Sequence, residues 1–103
     1  MKLADLKLEV YTDGGYEVMR PIFDRNWAKL EASNAKAIKA GKREGRYIQH
    51  PYADGYAVYL IVRETAKTVD IEVVGNIGDD WVLPAWGHED TISLKTADLF
   101  LRS

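Results

Sequence analysis

Acidic and aromatic side chains are concentrated near the end of the sequence. Segment 78–90, GDDWVLPAWGHED, holds two tryptophans, two adjacent acidic pairs and one histidine. The candidate ligands for a metal ion in this segment are Asp79, Asp80, His88, Glu89 and Asp90. Their spacing lacks the alternation and the glycine of a calcium loop, and one histidine does not make a zinc centre. The sequence therefore predicts no metal and no cofactor, and a solvated acidic loop instead.

Trp86 favours a second interpretation of the same segment. Tryptophan contributes heavily to the energetics of protein interfaces, so an exposed Trp86 beside acidic residues would anchor a protein partner. The residues predicted to contact that partner are Trp86, His88, Glu89, Asp90, Tyr52 and Asp54. The structural alternative is that Trp81 and Trp86 pack the loop onto the core.

Tyrosine is concentrated in segment 46–59, RYIQHPYADGYAVY, which holds four of the six tyrosines and one of the two histidines. Aromatic walls with hydrogen-bonding tips are typical of small-ligand and base-stacking sites. The members of this alternative ligand pocket are Tyr47, His50, Tyr52 and Tyr56. Tyrosines at strand ends also keep the ring in the core and the hydroxyl in water, so a purely structural role stays open.

Charge is distributed unevenly along the sequence, although the net charge is only −2. Residues 20–46 carry eight basic and three acidic side chains, whereas residues 64–100 carry eight acidic and two basic ones. The basic part predicts an alternative surface for phosphate contacts. Its members are Lys29, Lys36, Lys39, Lys42, Arg43 and Arg46. The acidic balance of the whole chain argues against it, because strong nucleic-acid binders usually have a high isoelectric point.

One clear helix must position the basic residues. The sequence predicts it over residues 25–40, with Asp24 as its N-cap and Gly41 as the left-handed residue at its end. At about 100° per residue, one narrow stripe of side chains along this helix faces the core, and lysines lie on the opposite face of the helix. The stripe consists of Trp27, Leu30, Asn34, Ala37 and Ile38.

The remaining segments predict strands. An Asp-Gly-Gly turn predicts a hairpin between residues 6–12 and 16–23. Further strands are predicted at 46–50, 56–64, 68–74 and 80–83, with a turn at 65–68. Both alternating sets are apolar in 56–62, which predicts a central strand covered on both faces. The tail, 91–101, fits either a strand pair or a short helix opened by Ser93.

These elements predict a single domain, 1–103, of the α+β class: one amphipathic helix packed on an antiparallel sheet of about four to six strands. The absence of cysteine excludes disulfides and thiolate chemistry and favours a cytoplasmic location. No segment is apolar enough to be a signal peptide or a membrane span. No catalytic residue is predicted, because neither histidine lies in a known nucleophile motif.

For function, we expect a non-catalytic protein-binding module, an adaptor or an inhibitor. Its size is typical of accessory proteins of phages and mobile elements. Two alternatives stay open: a nucleic-acid-binding domain that uses the basic helix, and a small-ligand-binding domain or small enzyme built around the tyrosines and His50.

Overall fold

A computed structural model describes residues 3–10, 14–52, 55–77, 82–84 and 89–101. The elements are a short 3₁₀ helix (Leu3–Leu6), α1 (Gly15–Ala40), β1 (Tyr47–Tyr52), β2 (Gly55–Glu64), β3 (Thr68–Ile77), β4 (Val82–Pro84), β5 (Glu89–Ser93) and α2 (Leu94–Phe100). In these ranges no helix is both long and apolar enough to cross a membrane. The α+β prediction is confirmed, with a second, short helix in addition to the one expected.

The five strands form one antiparallel sheet in which β2 lies between β1 and β3. The position beyond β3 is shared by two strands. β4 pairs with the C-terminal end of β3, and β5 pairs with its N-terminal half. The predicted central strand is thus confirmed as β2, and the turn at 65–68 is confirmed by a hydrogen bond from Thr65 N–H to Thr68 O at 2.8 Å.

Each face of β2 contributes to a different core. Leu60 and Val58 pack with Leu30 of α1 on one face. Ile61 packs with Ala97 of α2 on the other face. Because successive strand residues point to opposite faces, a strand covered by a helix on each side must be apolar at consecutive positions. This is the reason for the continuous apolar run in this part of the sequence.

The predicted N-terminal hairpin is wrong, because residues 16–23 belong to α1. The burial pattern of α1 continues upstream through Ile22, Asn26 and Leu30, which are four residues apart and all buried. Asp24 therefore lies inside the helix, where it pairs with Arg20, and does not cap it. Asn26, a polar residue, interrupts the apolar spacing of this series, so the helical period is not evident in the sequence.

The C-terminal end of α1 and the tail follow the sequence more closely. Gly41 has the expected left-handed φ of 70°, and its N–H donates to the backbone carbonyls of Ala37 and Ile38 in the last turn of α1. Ile38, however, is 43% exposed, because the buried face of α1 is rotated by about 60° from the predicted stripe. The tail contains a strand followed by a short helix. β5 ends at Ser93, which is the N-cap of α2: its Oγ accepts a hydrogen bond from Thr96 N–H.

Candidate functional site

A cleft of about 950 Å³ lies where β2, β3 and β5 meet the 3₁₀ helix. This volume is near the upper end of the range for ligand sites, about 300–1,000 Å³. The charged residues of its lining are Asp5, Asp70, Glu72, Glu89, Asp90 and Arg63. Five acids and one arginine thus line an acidic cleft, although the β3–β5 register turns the Asp90 side chain, opposite Ile71, toward the α2 face.

Strand pairing brings these carboxylates together. Glu72 of β3 is directly opposite Glu89 of β5, a like-charge pair that destabilises an antiparallel ladder. Glu72 is only 6% exposed, whereas Glu89 is exposed. Asp70 accepts a hydrogen bond from the Thr91 hydroxyl at 2.8 Å and pairs with Arg63 at 2.6 Å. The one arginine of the lining is therefore engaged by one of the five acids.

Local structure at the other end of the sheet sets this register. The Thr65 hydroxyl accepts a hydrogen bond from Thr68 N–H at 3.0 Å and closes the turn between β2 and β3. Beside it, Leu94 N–H donates to Lys67 O at 3.1 Å, which holds the end of β5 to the same turn. An antiparallel register is fixed by its turn, so these bonds place Glu89 opposite the middle of β3.

Two of the residues predicted to contact a protein partner, Glu89 and Asp90, line this cleft and are exposed. Tyr52 ends β1, at the opposite edge of the sheet from β5. Trp86, His88 and Asp54 lie outside the described residues. The acids of β3 were not predicted as site residues, although the alternation of Asp70 and Glu72 on one face of a strand was visible in the sequence.

The structure does not bring the proposed tyrosine and histidine pocket together. Tyr47 is 4% exposed, its ring is 4.9 Å from that of Trp27, and its hydroxyl donates to Glu31 at 3.1 Å. His50 lies on the other face, where its ring forms a T-shaped pair with that of Phe100, with the ring centroids 4.8 Å apart. Tyr47 and His50 are an odd number of residues apart in one strand, so their side chains point to opposite faces. Tyr56 is 46% exposed in β2.

The predicted basic surface is divided in the fold. Arg43 donates two hydrogen bonds to Asp98, at 2.8 and 3.0 Å, and also pairs with Glu64 at 2.9 Å. The hydrogen bonds from Arg43 hold the pKa of the Asp98 carboxyl below its ordinary value. Lys29 donates to the backbone of the N-terminal segment at 2.6 Å. Of the remaining members, Arg46 is half-buried, and Lys36, Lys39 and Lys42 are exposed.

The cleft lining is therefore predominantly acidic, whereas the exposed lysines of the predicted basic surface lie on or just after α1. In the described part of the chain, no group of three or more histidines and acids is arranged to hold a metal ion.

Comparison of the chain with protein-family models, with curated proteins and with solved structures finds no match.

Proposed function

We propose that the protein is a non-catalytic binding module whose acidic cleft receives a basic segment of another protein. The observation that carries this proposal is the 950 Å³ cleft with five carboxylates and one arginine in its lining. Complementary charge steers association and selects against the wrong partner. A cleft of this charge attracts lysine and arginine side chains and repels the phosphates of nucleic acid.

The opposed carboxylates of Glu72 and Glu89 support a cationic partner. The two residues are directly opposite in the β3–β5 register, and like charges at such positions reduce the stability of a strand pair. A lysine or arginine side chain placed between them would remove that repulsion, and a guanidinium can bind carboxylates through two parallel hydrogen bonds. The same interaction that recognises the partner then also stabilises the strand pair.

Other features of the predicted surface fit the same role. Trp86 precedes Glu89 by three residues in the sequence, and we retain it as the hydrophobic anchor for the partner. The partner's basic segment would be held by charge, and Trp86 would add affinity that salt does not screen. An adaptor or an inhibitor acting in the cytoplasm is the role that this combination favours.

The test uses a lysine- and arginine-rich peptide and a neutral peptide of equal length, with binding measured by fluorescence anisotropy at low and at physiological salt. We expect the basic peptide to bind and its affinity to fall as salt rises. The variant Glu72→Gln/Glu89→Gln should weaken binding about tenfold. The matched control is Glu17→Gln/Asp24→Asn, which removes two exposed acids of α1, outside the cleft lining, and should change the affinity less than about twofold.

Equal loss in both double variants would show that only overall charge matters and would contradict the proposal. So would tight, salt-dependent binding of a random oligonucleotide without binding of the basic peptide, which would support the nucleic-acid alternative. For the hydrophobic anchor, Trp86→Ala should weaken capture of the peptide or the natural partner without lowering the melting temperature. A parallel drop in melting temperature would mean that Trp86 belongs to the core.

A further inference from the structure

A second cavity, of about 210 Å³, lies on the α2 side of the sheet. Its floor is aliphatic and includes Ile48 and Ile71, which are 1% and 4% exposed. Aromatic rings of Tyr59, His50 and Phe100 contribute to its lining, and His50 and Phe100 meet edge to face at 4.8 Å. The interior of this cavity is therefore apolar and largely aromatic.

The mouth of the cavity is polar. Asp90 is directly opposite Ile71 in the β3–β5 register, which places both on the α2 face. Its carboxylate is exposed and accepts a hydrogen bond from Thr91 N–H at 2.8 Å. Thr96 of α2 is the other exposed polar residue of β5 and α2 in this lining. A single negative charge thus stands at the entrance to an aromatic cavity.

We propose that this cavity binds a small arylalkyl amine, with its ring among the aromatic side chains and its ammonium group at Asp90. The volume fits one ring with a short chain, because a cavity of about 150 Å³ suffices for benzene. Aromatic rings favour edge-to-face packing of another ring, and ring faces attract an ammonium group. The Asp90 carboxylate disfavours a ligand of the same shape that carries a negative charge.

Three probes of nearly equal shape test the chemical class: 2-phenylethylamine, 2-phenylethanol and 3-phenylpropionate. Each is titrated into the ¹⁵N-labelled protein, and binding is followed by amide chemical shifts. For a ligand of this size we expect a dissociation constant of about 1 mM for the amine. The alcohol should bind about three- to fivefold more weakly, since an exposed ion pair adds only a modest gain. The carboxylate should bind most weakly, and the shifts should map to Ile48, Ile92 and Phe100.

Two variants locate the site. Asp90→Asn should reduce the affinity for the amine to that for the alcohol and leave the alcohol unchanged. Thr96→Leu should fill the mouth and weaken both, while the Ser93 cap is kept because it uses the Thr96 backbone N–H. The control Asp24→Asn removes an exposed acid from α1, on the other face of the sheet, and should change neither affinity.

Equal affinity for all three probes, shifts outside the cavity, or no shift at about ten times the expected dissociation constant would overturn the proposal. Retained preference for the amine in Asp90→Asn would do the same. Asp90 also belongs to the lining of the acidic cleft, but the peptide experiment alters Glu72 and Glu89, neither of which lines this cavity, so the two results are separable.

Discussion

Asn26 is the polar residue on which docking of the N-terminal segment depends. It is 2% exposed; its Oδ1 accepts a hydrogen bond from Glu9 N–H at 2.8 Å, and its Nδ2 donates to Glu9 O at 2.9 Å. These bonds hold the segment that carries Leu6 and Leu8, both of which pack against the α1-side core. Asn26→Ala removes both hydrogen bonds at once.

The expected loss follows from those two bonds. Each buried backbone group that loses its partner costs about 1–3 kcal/mol. The Glu9 backbone is only partly buried, so the lower half of this range applies, and the sum is about 2–4 kcal/mol. For a domain of this length the corresponding drop in melting temperature is on the order of 10–20 °C. Urea unfolding followed by far-UV circular dichroism measures the free energy of unfolding directly.

Asn34 provides a matched control on the same helix. It is also 2% exposed, but its Oδ1 has no hydrogen-bond partner in the described part of the chain. Asn34→Ala therefore removes an unsatisfied polar group together with some packing, and we expect a change within about 1 kcal/mol. If the two substitutions cost the same, packing volume and not the Asn26 hydrogen bonds would hold the segment, and the reasoning would be refuted.

Three further substitutions test other parts of the fold. Arg43→Gln should cost about 1 kcal/mol, since the side chains of Arg43 and Glu64 are 31% exposed and that of Asp98 is 48% exposed. Because the pKa of Asp98 is lowered in the folded state, the stabilisation by Arg43 is complete above the ordinary carboxyl pKa and is lost as pH falls toward the lowered pKa. Urea unfolding of the wild type and of Arg43→Gln at decreasing acid pH should therefore show a shrinking difference in their free energies of unfolding. Leu60→Ala, at a fully buried site in the α1-side core, should cost about 2–5 kcal/mol in the same assay. Glu89→Lys should raise the melting temperature, because an opposite-charge pair of lysine and Glu72 stabilises the β3–β5 pairing by about 0.2–1 kcal/mol. A lower melting temperature would contradict the inferred effect of the like-charge pair.

The sequence predicted best those features that depend on neighbouring residues. The central strand was evident because both alternating sets of 56–62 are apolar, and Gly41 marked the end of α1 by its need for a positive φ. The N-terminal half of α1 was missed for a physical reason. Val18, Ile22 and Phe23 have local strand character, and of the three only Ile22 is buried in α1, so they carry little of the apolar period of a helix.

The candidate cleft was only partly predictable, because it depends on which strands are neighbours. Glu89 and Asp90 were identified from a local cluster, whereas Asp70 and Glu72 were visible only as the polar face of a half-exposed strand. Their meeting requires β5 to pair with β3 after the chain has passed through β4. Strand order of this kind is set by packing over the whole sheet and leaves no local sequence pattern.

Charge segregation along the sequence is partly cancelled within the fold. Arg43, from the basic part of the sequence, is held by Asp98 and Glu64 of the acidic part, so these opposite charges neutralise one another within the fold. At the cleft, Glu72 is directly opposite another acid, Glu89, in the β3–β5 register. Like charges at directly opposed positions destabilise a strand pair, and a cationic ligand of the kind proposed above would reduce that cost. The proposed binding site therefore rests on the composition of the cleft lining and not on the net charge of either part of the sequence.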